Sequence, residues 1–255
     1  MKTNWGKWSG GVLGLLLALV GTVNAADAPA PLRVALFDDA GSFGKGVPRA
    51  TEIFGKREGF KLTVLKKDQV RAATLKDFDV VLFTGGSGSK QAEAIGETGR
   101  ADVKQFVENG GGYVGICAGA YLACDGFSWG VKVLDAKTVS SKWRRGVGTA
   151  KIELTEEGKQ ILGDHPGLLS VRYANGPIIK PAQNEKLPDF KPLAVFRTEL
   201  AENDSPKGVM INSPASAAAE CGKGRVIIFS PHPEQSEGLE DLVVHAVEWV
   251  GKVKK

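Results

Sequence analysis

"GGYVGICAGAYLAC", residues 111–124, runs from an apolar stretch into a small-residue segment, with Cys117 set between Gly115 and Gly119. G-x-C-x-G after an apolar strand and before a helix has the form of a nucleophile elbow. Its glycines permit a tight strand-to-helix turn from which the nucleophile points out of the sheet. Larger side chains at Gly115 and Gly119 would collide with neighbouring backbone. The positive end of the new helix favours thiolate over thiol. A buried structural cysteine in a glycine-rich turn fits the same spacing. What the rest of the chain supplies decides between the two.

Outward from this stretch, "LRVALF" (32–37), "KLTVL" (61–65), "FDVVLFTGG" (78–86) and "GYVGI" (112–116) read as strands, several of them continuous in apolar residues as in parallel sheets. Helix-like stretches lie near 47–58 and over 89–109, the second broken near Gly96–Gly99. Alternating strands and helices predict an α/β sandwich with a mostly parallel sheet. After about residue 130 the pattern changes to short strand candidates: "GTAKIEL", "LLSVRYANGP", "PLAVF", "GVMINSP" and "SAAAECGKGRVIIFS". They read as antiparallel additions at one edge, with "CGKGR" a hairpin turn. A final helix is expected from Glu237 to about Val253, with Leu239, Leu242, Val243, Ala246 and Val250 at helical spacing. Ligands in such folds bind beyond the carboxyl ends of the strands, where the richest motifs of this chain fall.

A thiolate needs a base, and the base needs an orienting group. Among three histidines, His165 lies in the turn-like "GDHPG" and His245 inside the final helix. His232 follows an apolar strand in "VIIFSPHPEQS". Pro233 biases His232 towards an extended conformation, and in extended chain Glu234, two residues on, points the same way. Its carboxylate would then fix the imidazole tautomer. For an oxyanion, the Ala118 amide at the helix start is one donor. "TGGSGS" (84–89) offers a second through Gly86 and Ser87, although a glycine loop alone is weak evidence.

These segments carry a resemblance. "GGYVGICAGAYLA", "TGGSGS" and "GKGRVIIFSPHPE" look like the nucleophile elbow, oxyanion loop and His-x-Glu motif of class I glutamine amidotransferase-like proteins. More narrowly, "GICAGAY", "RYANGP" and "GKGRVIIFSPHPE" resemble the amidotransferase-like domain at the N-terminus of biotin–protein ligases, which also occurs alone in bacteria. The resemblance runs from about Leu32 to Val250. It implies a flavodoxin-like three-layer sandwich with antiparallel strands at one edge, Cys117 as nucleophile, His232 as base and Glu234 as orienting acid. The chain departs from the pattern at Tyr121, where glutamine-hydrolysing members carry Gln in C-x-G-x-Q. The chemistry is therefore expected on an amide or related acyl bond of a small molecule or peptide, with glutamine not the expected substrate. A binding module that keeps the fold without turnover is the alternative. Tyr121, Arg144 and Arg145 beside Trp143, and Asn175 in "YANGP" are the candidates for lining a substrate pocket. A solvated loop explains the arginine pair, and a turn explains Asn175-Gly176, just as well.

Composition excludes other classes. A formal net charge of +4 with no long basic run does not suit a nucleic-acid binder. There is no CxxC and no His/Cys cluster at metal spacing, so neither a metal nor a cofactor is expected. "MKTNWGKWSGGVLGLLLALVGTVNA" (1–25) has the charged start, apolar run and small-residue Val-Asn-Ala site of a secretory signal. Its apolar run is short for a bilayer span, so no stable membrane span is expected after cleavage. The expectation is one domain over 26–255, periplasmic or secreted. In an oxidising compartment three cysteines leave one unpaired, and Cys124 with Cys221 is the pair open to joining. N-terminal sequencing of exported protein should begin at Ala26; exported protein that retains Met1 would contradict the signal reading.

Overall fold

The computed structural model describes residues 30–141, 146–200, 202 and 205–251. In chain order, β1 (Leu32–Phe37), α1 (Gly46–Gly55), β2 (Phe60–Leu65), α2 (Ala72–Leu75), β3 (Val80–Phe83), α3 (Gly88–Glu108), β4 (Gly112–Ile116) and α4 (Ala118–Ala123) come first. They are followed by β5 (Ala136–Thr138), β6 (Val147–Leu154), α5 (Glu156–Leu162), β7 (Leu169–Ala174) and β8 (Ile179–Pro181). The chain continues through β9 (Lys191–Phe196), β10 (Pro214–Cys221), β11 (Gly224–Phe229) and α6 (Glu240–Gly251).

Nine strands form one sheet in the order β2-β1-β3-β4-β11-β10-β9-β6-β7, and β5 pairs with β8 separately. The first five in that order are parallel and have the doubly wound, flavodoxin-like arrangement. From β10 onward each strand runs antiparallel to its neighbour. The expected parallel sheet with an antiparallel extension at one edge is therefore what the chain builds.

The apolar runs are continuous because both faces of the central strands are covered. Val34, Leu36, Val80, Leu82, Val114, Ile116, Ile227 and Phe229 pack on one face with Phe54 of α1 and Leu242, Val243 and Val247 of α6. The alternate residues Ala35, Phe37, Val81, Phe83, Tyr113, Val226 and Ile228 pack on the other with Ala92, Ile95 and Val103 of α3. Period-two alternation thus divides each strand between two cores and yields three layers. The antiparallel extension is covered less evenly: in β6 only Ala150, Ile152 and Leu154 are buried.

Three expectations are corrected. "GVMINSP" is a run of turns up to Pro214, because Ser213 N and Oγ both donate to the Met210 carbonyl and Asn212 adopts φ 64°. The final helix begins at Glu240, after Gly238 turns the chain at φ 75°; residues 252–255 lie outside the described residues. The suggested Cys124–Cys221 bridge is not made. All three cysteines are free and buried, and the Cys124 thiol donates to the Ala120 carbonyl at 3.2 Å. Cys124 also lies just past the end of the short α4, as its C-cap.

Burial pushes the Cys124 thiol up to about 12 and the Cys221 thiol up to about 11, from 9.0 for an ordinary thiol. Unfolding therefore releases protons in that window, so this stability is complete below about pH 9 and is lost as the pH rises through the folded values. A Cys124→Ala/Cys221→Ala variant should lose less melting temperature between pH 9 and 11 than the wild type; identical losses would contradict the burial effect. Denatured, unreduced protein should present all three thiols to alkylation. One reactive thiol would reinstate the bridge.

Candidate active site

The elbow is built as its glycines require. Cys117 links β4 to α4 at φ 53° and ψ −95°, a conformation a non-glycine residue holds only where its surroundings enforce it. A Cβ on Gly115 would lie 2.5 Å from the Gly119 carbonyl oxygen, and one on Gly119 would collide with the carbonyl of Phe83 in the neighbouring strand. From beneath, the buried Tyr113 hydroxyl donates to the Gly119 carbonyl at 2.8 Å. From the side, the Cys117 amide donates to the Phe229 carbonyl at 2.8 Å, extending the parallel β4–β11 register in which Ile116 faces Phe229.

That register sets His232 on the same side of the sheet as the thiol. Three residues beyond β11, His232 is 5 % exposed and Cys117 6 %. The Cys117 side chain is near enough to the imidazole to favour its charged form. His232 Nδ1 and Glu234 Oε1 are 2.8 Å apart, and Glu234 is fully buried. The contact is the expected one, but the backbone differs. His232 has φ −114° and ψ 74°, and Pro233–Gln235 form a turn of 3₁₀ helix that folds the carboxylate back onto the ring. Burial alone would push the imidazole down. The neighbouring Cys117 and Glu234 side chains outweigh it and raise His232 to about 10.

The glycine loop after β3 lies against the same ring, since a Cβ on Gly85 would come within 2.9 Å of His232 Cε1. Gly86 has φ 142°, and a Cβ there would collide with the Gly41 carbonyl. Ser87 is corrected as an oxyanion donor: its amide donates to the Gly41 carbonyl at 2.8 Å. The Gly86 amide and the Ala118 amide, which begins α4 and so has no intrahelical acceptor, remain suited to the role.

"RYANGP" closes the other side. The Cys117 thiol is 3.5 Å from the Ala174 carbonyl oxygen, and the Tyr121 hydroxyl donates to the Asn175 carbonyl at 2.9 Å. Asn175 adopts φ 58° and accepts from the Gly146 amide through Oδ1 at 3.0 Å. The structure thus brings Tyr121 and Asn175 together beside the thiol. Arg144 and Arg145 lie outside the described residues. His245 is turned to the Leu162 carbonyl at 2.7 Å. Tyr113, Ala174, Arg172, Gln235 and Ser236 complete the surroundings; all lie within the quoted motifs, but nothing in their residue type marked them out individually. Gln235 Nε2 donates to Glu234 Oε1 at 2.8 Å. Ser236 Oγ donates to the His232 carbonyl at 2.7 Å.

Residues 63–143, which include the glycine loop and the elbow, match the family model "Biotin-protein ligase, N terminal". An uncharacterized protein of Chlamydia muridarum (strain MoPn / Nigg) is 27 % identical over 198 residues, 68 % of each chain. Among solved structures, PurLQS from Thermotoga maritima superposes with a TM-score of 0.61 at 15 % identity, over 86 % of this chain and 99 % of that one. A glutamine amidotransferase superposes with a TM-score of 0.59 at 18 % identity, over the same shares. The chain therefore has the class I glutamine amidotransferase-like fold, and its elbow-bearing segment is similar to the N-terminal domain of biotin–protein ligases.

Proposed function

We propose that the protein is an exported cysteine hydrolase that cleaves an amide or related acyl bond through Cys117, His232 and Glu234. The observation that carries this reading is the buried His232 Nδ1–Glu234 Oε1 contact of 2.8 Å, on an imidazole whose charged form the strained elbow's Cys117 favours. Such an arrangement has a chemical sequence. The Cys117 sulfur, its proton passed to His232, attacks the acyl carbon, and the C–O π pair moves to oxygen, where the Ala118 and Gly86 amides stabilise the charge. The tetrahedral intermediate collapses with cleavage of the C–N bond, and the His232 imidazolium gives its proton to the departing amine. Water then attacks the thioester as His232 takes back a proton, and acid and free thiol are released. Glu234 holds the ring in the tautomer whose other nitrogen faces sulfur and favours its charged form.

Export rests on the N-terminal segment. The substrate is a small-molecule or peptide amide. Tyr121, bonded to the Asn175 carbonyl, stands where a glutamine-hydrolysing site would carry Gln, which supports a substrate other than glutamine. A binding module without turnover is the second reading. It is favoured by the thiol's burial and its contact with the Ala174 carbonyl, which suits a thiol better than a thiolate.

Iodoacetamide labelling near neutral pH distinguishes the two without a known substrate. Cys117 should react fastest in the wild type, more slowly in Glu234→Gln and slowest in His232→Ala, while buried Cys124 and Cys221 stay slow throughout. Equal rates in wild type and His232→Ala would contradict the triad. In an amide and peptide screen, a thioester on Cys117 should be detectable by mass spectrometry. His232→Ala should then lower turnover by about 10²–10⁴-fold. Stoichiometric ligand binding that survives Cys117→Ala, with no turnover of any amide, would favour the binding module.

A further inference from the structure

We propose that Ser236 is a positioning residue for His232, and that it and the edge strand β7 form one gauge that sets the distance between base and nucleophile. This rests on the triad reading above. A base on a loop must be held to about 0.5 Å to act, and His232 lies beyond the last ladder bond of β11. Three hydrogen bonds hold it. The His232 amide donates to the Arg172 carbonyl at 2.8 Å. The Ser236 hydroxyl donates to the His232 carbonyl at 2.7 Å. The Arg172 amide donates to the Ser236 hydroxyl oxygen at 2.9 Å. They close a ring through Arg172, Ser236 and His232.

The relay needs a hydroxyl. One O–H donor with free lone pairs can give to a carbonyl and accept from an amide at once. An alkyl side chain can do neither, and the Arg172 amide and His232 carbonyl would be left with only the longer backbone pairing of the Arg172–His232 antiparallel bridge. Ser236 is also well placed by its own backbone, since its amide donates to the Pro233 carbonyl and ends the 3₁₀ turn that carries Glu234.

Arg172 is a fixed point because of the strand alternation. The Asn175 amide donates to the Gly146 carbonyl, so Tyr173 and Asn175 turn their backbone groups towards β6. Arg172 and Ala174 therefore turn theirs outward, to the catalytic side. Arg172 holds His232, and two residues on, the Ala174 carbonyl meets the Cys117 thiol at 3.5 Å. Nucleophile and base are thus both referred to one strand, at points about 7 Å apart along it. Ser236 locks the His232 end of that gauge.

The test is the pH–rate profile of Cys117 alkylation by iodoacetamide in full-length wild type, Ser236→Ala, Ser236→Thr, Ser236→Val and His232→Ala. A misplacement of about 1 Å can cost up to about 10²-fold, so Ser236→Ala should label at least about tenfold more slowly at pH 7. Its profile midpoint should move to higher pH, in the direction of His232→Ala, as the imidazolium loses its hold beside the sulfur. Ser236→Thr should recover most of the rate. Should Ser236→Ala not fold, Thr against Val compares side chains of similar size that differ in the hydroxyl. Wild-type rate and midpoint in Ser236→Ala, or equal rates in the Thr and Val variants, would overturn the assignment. If His232→Ala itself labels like wild type, the triad reading falls and Ser236 with it. A slow His232→Ala beside unaffected Ser236 variants removes Ser236 alone.

Discussion

The positive φ of Cys117 is the constraint on which the rest of this structure depends. A side chain held in that region costs about 1–3 kcal/mol, and it persists only where the surroundings over-determine it. Here they do so from three directions. Gly115 and Gly119 let the turn press against itself and against Phe83, Tyr113 bonds its far side from the core, and Phe229 fixes the Cys117 amide. The contacts with Phe83 and Phe229 exist only because β3, β4 and β11 are adjacent and in register. The parallel sheet is thus the support for one strained residue, and the cores on its two faces supply the stability that offsets the strain.

A second constraint is electrostatic. A carboxylate removed from water is costly unless it is paired, and Glu234 is fully buried. One of its oxygens takes both the His232 and Gln235 donors, while Oε2 has no partner among the described residues. The energetic balance at Glu234 therefore leans on the imidazole. A neutral ring would leave the buried charge with hydrogen bonds alone, whereas an imidazolium compensates it and lies against the Cys117 thiol as well. The geometry that keeps Glu234 tolerable is the same geometry that keeps His232 basic, so fold stability and site chemistry are linked at this pair.

Much of this was legible because the decisive signals are local. The elbow spacing, the parallel strand at Gly112–Ile116 and the hairpin at "CGKGR" each arise from neighbouring residues, and all are found. The partnership of His232 and Glu234 was also legible, although an extended chain was expected and a 3₁₀ turn makes the contact. What stayed hidden depends on distant partners. Ser87 looks like a free loop amide until Gly41 is seen to accept from it. Ser236 looks like an ordinary loop serine, yet the amide it accepts from is 64 residues away. "GVMINSP" has the composition of a strand, but the hydrogen bonds of Ser213 to Met210 turn it instead.

The most direct measurement of the central claim is an NMR titration of the His232 imidazole in wild type and in Cys117→Ala. If His232 is held between a buried carboxylate and the elbow sulfur, the wild-type ring should stay protonated well above the ordinary histidine midpoint of about 6.5. The folded value should lie towards about 10, and Cys117→Ala should bring it down. A wild-type His232 that titrates at or below the ordinary value, unmoved by loss of the thiol, would contradict the account.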